Sequence, residues 1–257
     1  AIHAMLSPQF QRKILAPLIG FIIVLAVVGG CRRGPNVQPD PRHPGRYQVR
    51  WEAMGTDAAI LVAASDLRTA RKMIAAAMPK VAQVERKMST YREDSEINRL
   101  NRYGSTRTIK LSPSTAEALR EAKRFSRITG GAFDATYAPL RSLWRNAQAQ
   151  EKTPEPAEIE AALQRVGSDK LVLKNGAGRF RVRGMGADLG GIAKGYAIDR
   201  TVQALVDAGA KHALVDIGGD IRLLGSRRDG EKWKIQVRDP RQGSRKTIIL
   251  RLENVAV

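Results

Sequence analysis

One stretch limits the possible folds more than any other: Ala187-Asp188-Leu189-Gly190-Gly191-Ile192-Ala193-Lys194-Gly195-Tyr196-Ala197-Ile198-Asp199. A carboxylate, two glycines and a lysine come together in a turn, and an apolar-periodic helix follows. That helix is predicted to begin near Gly191, pass through Ala197 and Val202, and end before Gly209, a suitable C′ glycine. Such a turn can bring backbone amides, a carboxylate and a cation to one spot, which suits a phosphorylated ligand with a divalent metal. A Gly-Gly pair before a helix also serves as a packing device, and the turn alone leaves both readings open. Neither a Walker A pattern nor GxGxxG occurs, so the two commonest phosphate loops are excluded.

The rest of the chain reads as α+β. Residues 47–53 and 58–63 are expected to pair around Met54-Gly55-Thr56. A helix capped by Ser65 should run from Asp66 to about Met88, with a kink or interruption at Pro79. A short helix is expected over 94–101. Ser112-Pro113 starts another that stops at Gly130-Gly131. Pro156 opens a short helix to about Val166. Residues 171–173 and 180–182 flank the turn 175–178, and 213–216 and 221–224 flank Gly218-Gly219. Two further strands are expected at 233–237 and 247–252. Strands and helices mix without regular βα alternation, which points away from a parallel α/β sheet.

The N-terminus reads as an address. Met5 is the expected start, Arg12 and Lys13 form a basic n-region, and Ile14 to Gly30 carries no charge. Val28-Gly29-Gly30 precede Cys31, the single cysteine. This pattern resembles a bacterial lipoprotein signal over 5–30, with cleavage before Cys31 and lipid on its thiol. An uncleaved anchor is the other reading, since the apolar run is near the lower limit for a span. Both put the body outside the cytoplasm, where no disulfide can contribute to it. Residues 31–46, rich in Pro, Gly and Arg, read as a tether.

The formal net charge is +19. That favours anionic partners, but no zinc-finger, RRM or KH signature accompanies it, and aromatics are too sparse for a stacking platform. Nucleic acid is therefore not expected as a partner. His3, His43 and His212 form no cluster in sequence, so a Ser/His/Asp or Cys/His hydrolase has no support.

Several segments stand out together: Met54-Gly55-Thr56; Met88-Ser89-Thr90-Tyr91 with Asp94-Ser95-Glu96-Ile97; Thr129-Gly130-Gly131-Ala132-Phe133-Asp134-Ala135-Thr136; the Asp188–Gly195 turn; and Val215-Asp216-Ile217-Gly218-Gly219-Asp220-Ile221. In order and wording they resemble the ApbE family, the FAD:protein FMN transferases, over residues 47–257. The resemblance implies a single T-fold-like domain and a Mg²⁺-dependent enzyme that binds FAD. It implies transfer of FMN to a Thr or Ser hydroxyl of a protein acceptor, with release of AMP. The implied acceptor is a subunit of a membrane redox complex on the periplasmic side of the inner membrane.

Site residues follow by resemblance. Met54 and Tyr91 are similar to FAD contacts around the flavin, and an aromatic face beside an isoalloxazine is physically sound. Ala132, Phe133 and Asp134 resemble the flavin-binding turn. Asp188, which by itself reads as a metal ligand, resembles an adenosine- or ribose-side FAD contact. The Gly191 carbonyl resembles a Mg²⁺ ligand, a hard oxygen donor, and Lys194 resembles an FAD contact that offsets pyrophosphate charge. Gly218, Gly219 and Asp220 read as a site-shaping turn. The family's His-Ile-Asp-Pro-like motif and its Asp…Asp-Thr metal segment have no counterpart here, so the chain reads as cut near its C-terminus, with activity lost or reduced. An FAD pyrophosphatase and a non-catalytic flavin-binding lipoprotein are the alternatives.

Overall fold

The computed structural model describes residues 35–227, 230–239, 241 and 247–257. The expected signal segment and Cys31 lie outside these residues. The body is built on a five-stranded antiparallel sheet in the order β1-β2-β3-β7-β8. Its strands are β1 (Gln38–Pro39), β2 (Arg46–Ala53), β3 (Thr56–Ala63), β7 (Ala213–Ile217) and β8 (Asp220–Leu224). A three-stranded sheet joins β4 (Ile109–Lys110), β6 (Ala177–Phe180) and β5 (Leu171–Lys174), and β9 (Trp233–Arg238) pairs with β10 (Thr247–Leu252).

Six α-helices are described: α1 (Leu67–Met88), α2 (Glu96–Tyr103), α3 (Pro113–Ile128), α4 (Ala138–Ala149), α5 (Pro156–Leu163) and α6 (Ala193–Asp207). Side-chain alternation decides which face of the large sheet they cover. Ile60, Val62, Val215 and Ile217 are buried with Ile74, Ala77 and Val81 of α1 and Ala197, Ile198 and Val202 of α6. Leu61 and Leu214, one residue out of phase, point to the other face. There they meet Trp233 and Ile235 of β9. The sheet is thus sandwiched between two helices and a hairpin.

Several expectations shift. The N-cap of α1 is Asp66, whose carboxylate accepts from the backbone N–H of Thr69 (2.9 Å), while Ser65 donates to Asp66. That set of hydrogen bonds holds the Asp66 carboxyl down at about 2. Helix α1 passes through Pro79 as one element. Ala75, whose carbonyl loses its i+4 partner, and Pro79 are both exposed, so water can replace the missing bond. The 175–178 turn is tighter than expected: Asn175 and Gly176, with φ 49° and 70°, close the hairpin alone and β6 starts at Ala177. Helix α6 starts at Ala193, two residues later than expected. The segment read as a tether contributes strand β1 and a buried Val37.

Candidate functional site

Five segments converge on one cavity of about 470 Å³. The β2–β3 turn supplies Met54 and Gly55, the last turns of α1 supply Val84, Glu85 and Met88, and the following loop supplies Ser89 to Arg92. Tyr137 and Arg141 come from the start of α4; Asp188, Gly190, Ala193 and Lys194 come from the turn into α6. The volume lies in the range of small-molecule and cofactor sites. Apolar groups form much of its wall, and Arg92, Arg141 and Lys194 outnumber Glu85 and Asp188 as charges.

Each part is held by a definite contact. Met54 adopts φ 53° and Gly55 φ 74°, as a two-residue turn between right-twisted strands requires. The Met54 N–H donates to Glu85 (3.2 Å), which ties that turn to α1. Asn101 grips Ala187 with both ends of its amide: Nδ2 donates to the Ala187 carbonyl (2.8 Å) and the Ala187 N–H donates to Oδ1 (2.7 Å). The Asp188 N–H donates to the Ala135 carbonyl (2.7 Å). The carboxylate of Asp188, a residue only 5% exposed, accepts from the Gly190 N–H on Oδ1 (2.8 Å) and ion-pairs with Arg141 through Oδ2. Arg141 also donates to Thr90 Oγ1 (2.9 Å), and its guanidinium lies 5.5 Å from the centroid of the Tyr91 ring. Lys194 pairs with Asp220 on the β7–β8 turn (2.7 Å). Two residues on, in the first turn of α6, Tyr196 donates to Glu117 (2.7 Å). Burial, and then that hydrogen bond, push its phenol up to about 12.

Of the residues singled out in the sequence, Met54, Tyr91, Asp188 and Lys194 line the cavity together. Ala132, Phe133 and Asp134 are not among the lining residues. Their turn abuts the site from behind: a Cβ on Gly191 would lie 3.0 Å from Phe133 Cε2. The Asp134 carboxylate is spent inside the protein. It accepts from the N–H (2.8 Å) and hydroxyl (2.7 Å) of Thr136 and from the Ser168 N–H (2.8 Å). In this structure it organises the loop. Gly218 and Gly219 line a neighbouring surface hollow with Arg50, Thr56 and Asp57. Asp220 reaches the site only through Lys194.

Arg141, Asn101 and Glu85 were missed. Arg141 sits on α4, which was not expected at all. Its signals were present: Pro139 in the first turn, and Leu140, Leu143, Trp144 and Ala147 at i, i+3, i+4 and i+7.

The donor set does not suit a resident divalent cation. Among the described residues no group of three His, Cys, Asp or Glu side chains is gathered for one, and Asp188 is committed to Arg141. The Gly191 carbonyl alone is no Mg²⁺ site, since Mg²⁺ demands octahedral oxygen ligation.

The family model for ApbE matches residues 54–257, most of the chain and every segment around the cavity. The chain belongs to the ApbE family. The FAD:protein FMN transferases of Vibrio cholerae and Haemophilus influenzae are each 34% identical to it. They align over 62% and 61% of this chain and 48% and 47% of their own length. The chain thus spans about half the length of these curated relatives. Among solved structures, the flavin transferase ApbE of Vibrio cholerae superposes with a TM-score of 0.71 at 29% identity, covering 82% of this chain and 70% of that one. The ApbE protein of Thermotoga maritima gives 0.72 at 30% identity, covering 82% and 69%. The mixed antiparallel architecture is therefore an ApbE fold.

Proposed function

We propose that this protein binds FAD in the cavity between Met54, Tyr91, Asp188 and Lys194 and serves FAD:protein FMN transfer. The acceptor Thr or Ser oxygen forms a bond to the FMN phosphorus, the bond from that phosphorus to the AMP oxygen breaks, AMP leaves, and the hydroxyl proton passes to solvent. The observation that carries the reading is convergence. Four positions that family resemblance assigns to FAD come from three segments far apart in sequence and line one cavity, with apolar walls for a ring system and basic groups for phosphates. The relatives' names add support.

In this reading the residues bind and orient. Tyr91 and Met54 flank the flavin, Asp188 accepts from a ribose hydroxyl, and Lys194 offsets phosphate charge. Mg²⁺ is an expected co-reactant. The acceptor is a membrane redox subunit, reached from the periplasmic side by a protein held through lipid on Cys31.

The test is incubation of the chain with FAD, Mg²⁺ and a threonine-bearing acceptor peptide, followed by mass spectrometry. A covalent FMN adduct, at low yield because the described residues gather no full ligand set for the cation, is the expected result. Free FMN and AMP without adduct would instead mark a pyrophosphatase, and bound but intact FAD a flavin-binding protein.

A further inference from the structure

Tyr91 is 86% exposed. It follows the C-terminus of α1 in a loop with no regular secondary structure. A tyrosine this exposed normally samples several rotamers, and ordering it on a ligand costs affinity. Here the described partner of its ring is the Arg141 guanidinium. The same guanidinium holds the loop at Thr90 and pairs with the buried Asp188 carboxylate on the opposite wall. Thr90 is gripped a second time through its carbonyl, which accepts from Asn98 Nδ2 (2.9 Å). Arg141 itself rises from a helix, a rigid base for a positioning group.

We infer that Arg141 is a positioning residue that sets the Tyr91 ring and the Asp188 carboxylate in ligand-ready arrangement before FAD arrives. The inference rests on the FAD reading above. It assigns to one side chain the pre-ordering that reading needs, because the two walls come from segments about a hundred residues apart. The chemistry specifies arginine. A planar guanidinium can offer a face to the aromatic ring and an edge to the carboxylate at once, whereas an ammonium offers only a point charge.

The test is FAD titration of the purified chain, reading both affinity and the fluorescence of the bound flavin, which a stacked tyrosine quenches. Tyr91→Leu and Arg141→Met should each weaken FAD about tenfold and brighten the bound flavin. The double variant should be no brighter than Tyr91→Leu alone, since both act through one ring. Arg141→Lys should recover part of the affinity and little of the quenching. A folded Arg141→Met protein that binds and quenches like the unsubstituted one would overturn the inference. Should Arg141→Met not fold, Thr90→Val decides: about threefold weaker binding with partial loss of quenching supports the inference, and no change overturns it. If the unsubstituted chain fails to bind FAD, the proposed function falls and the inference with it.

Discussion

At Asp188-Leu189-Gly190-Gly191 the chain turns into helix α6; at Asp216-Ile217-Gly218-Gly219 the same succession of carboxylate, apolar residue and two glycines closes the β7–β8 hairpin. In the first turn the carboxylate accepts from the N–H two residues on, and neither glycine has a positive φ. In the second it accepts from the Gly219 N–H three residues on (2.9 Å), with φ of 65° and 90° at the glycines. Partners from elsewhere in the chain separate them. Asn101 fixes Ala187 and Arg141 takes Asp188, whereas β7 enters its turn already paired with β3. A four-residue pattern permits either turn, and long-range contacts decide which one forms.

The comparison can be broken at several points. Asp188→Ala removes one partner of a largely buried ion pair and should lower stability by about 3 kcal/mol in urea denaturation. Asp216→Ala loses a turn hydrogen bond and should cost about 1 kcal/mol; equal losses would erase the distinction. Gly218→Ala should cost about 2 kcal/mol, because φ is positive and the new Cβ would lie 2.8 Å from Thr56. Gly190→Ala should change stability by less than about 1 kcal/mol. Its Cβ would lie 3.1 Å from Asp188 Oδ1, so FAD affinity should fall instead, as seen by equilibrium dialysis.

The Lys194–Asp220 pair, partly exposed, joins the two turns. Breaking it from either side should change stability by about 0.5 kcal/mol or less. Lys194→Met should nevertheless weaken FAD, while Asp220→Asn should not. A last effect concerns pH. Tyr196, on the helix that follows the first turn, holds its proton more tightly when folded, with the phenol raised from 10.0 to about 12. The stability it contributes is complete below about 10 and is lost as pH rises from about 10 to about 12. Tyr196→Phe should flatten that part of a stability-against-pH curve, measured by thermal melts.

Much of the fold was legible because its strands alternate and its turns carry their own chemistry. Asn175-Gly176 and Gly218-Gly219 announce hairpins, and Ser112-Pro113 announces α3. Helix α4 carries a weaker start signal than α3: its N-cap is Tyr137, not a Ser, Thr, Asp or Asn, so only Pro139 and the apolar spacing announce it. Missing α4 meant missing Arg141. Their motifs single out Met54, Tyr91, Asp188 and Lys194, which line one cavity, but no local pattern says that Asp134 turns inward to Thr136 and Ser168. Nor does one say that Asn101 reaches Ala187. These are contacts of the folded chain, made by residues whose local sequence is ordinary.

The central claim is that the first turn, and not its counterpart, faces a flavin nucleotide. Its most direct test is FAD titration of the unsubstituted chain, Asp188→Ala and Asp216→Ala under one set of conditions, each shown to be folded. FAD should bind the unsubstituted chain and Asp216→Ala alike and should bind Asp188→Ala at least about tenfold more weakly. Equal affinity in all three, or an equal loss in both variants, would contradict it.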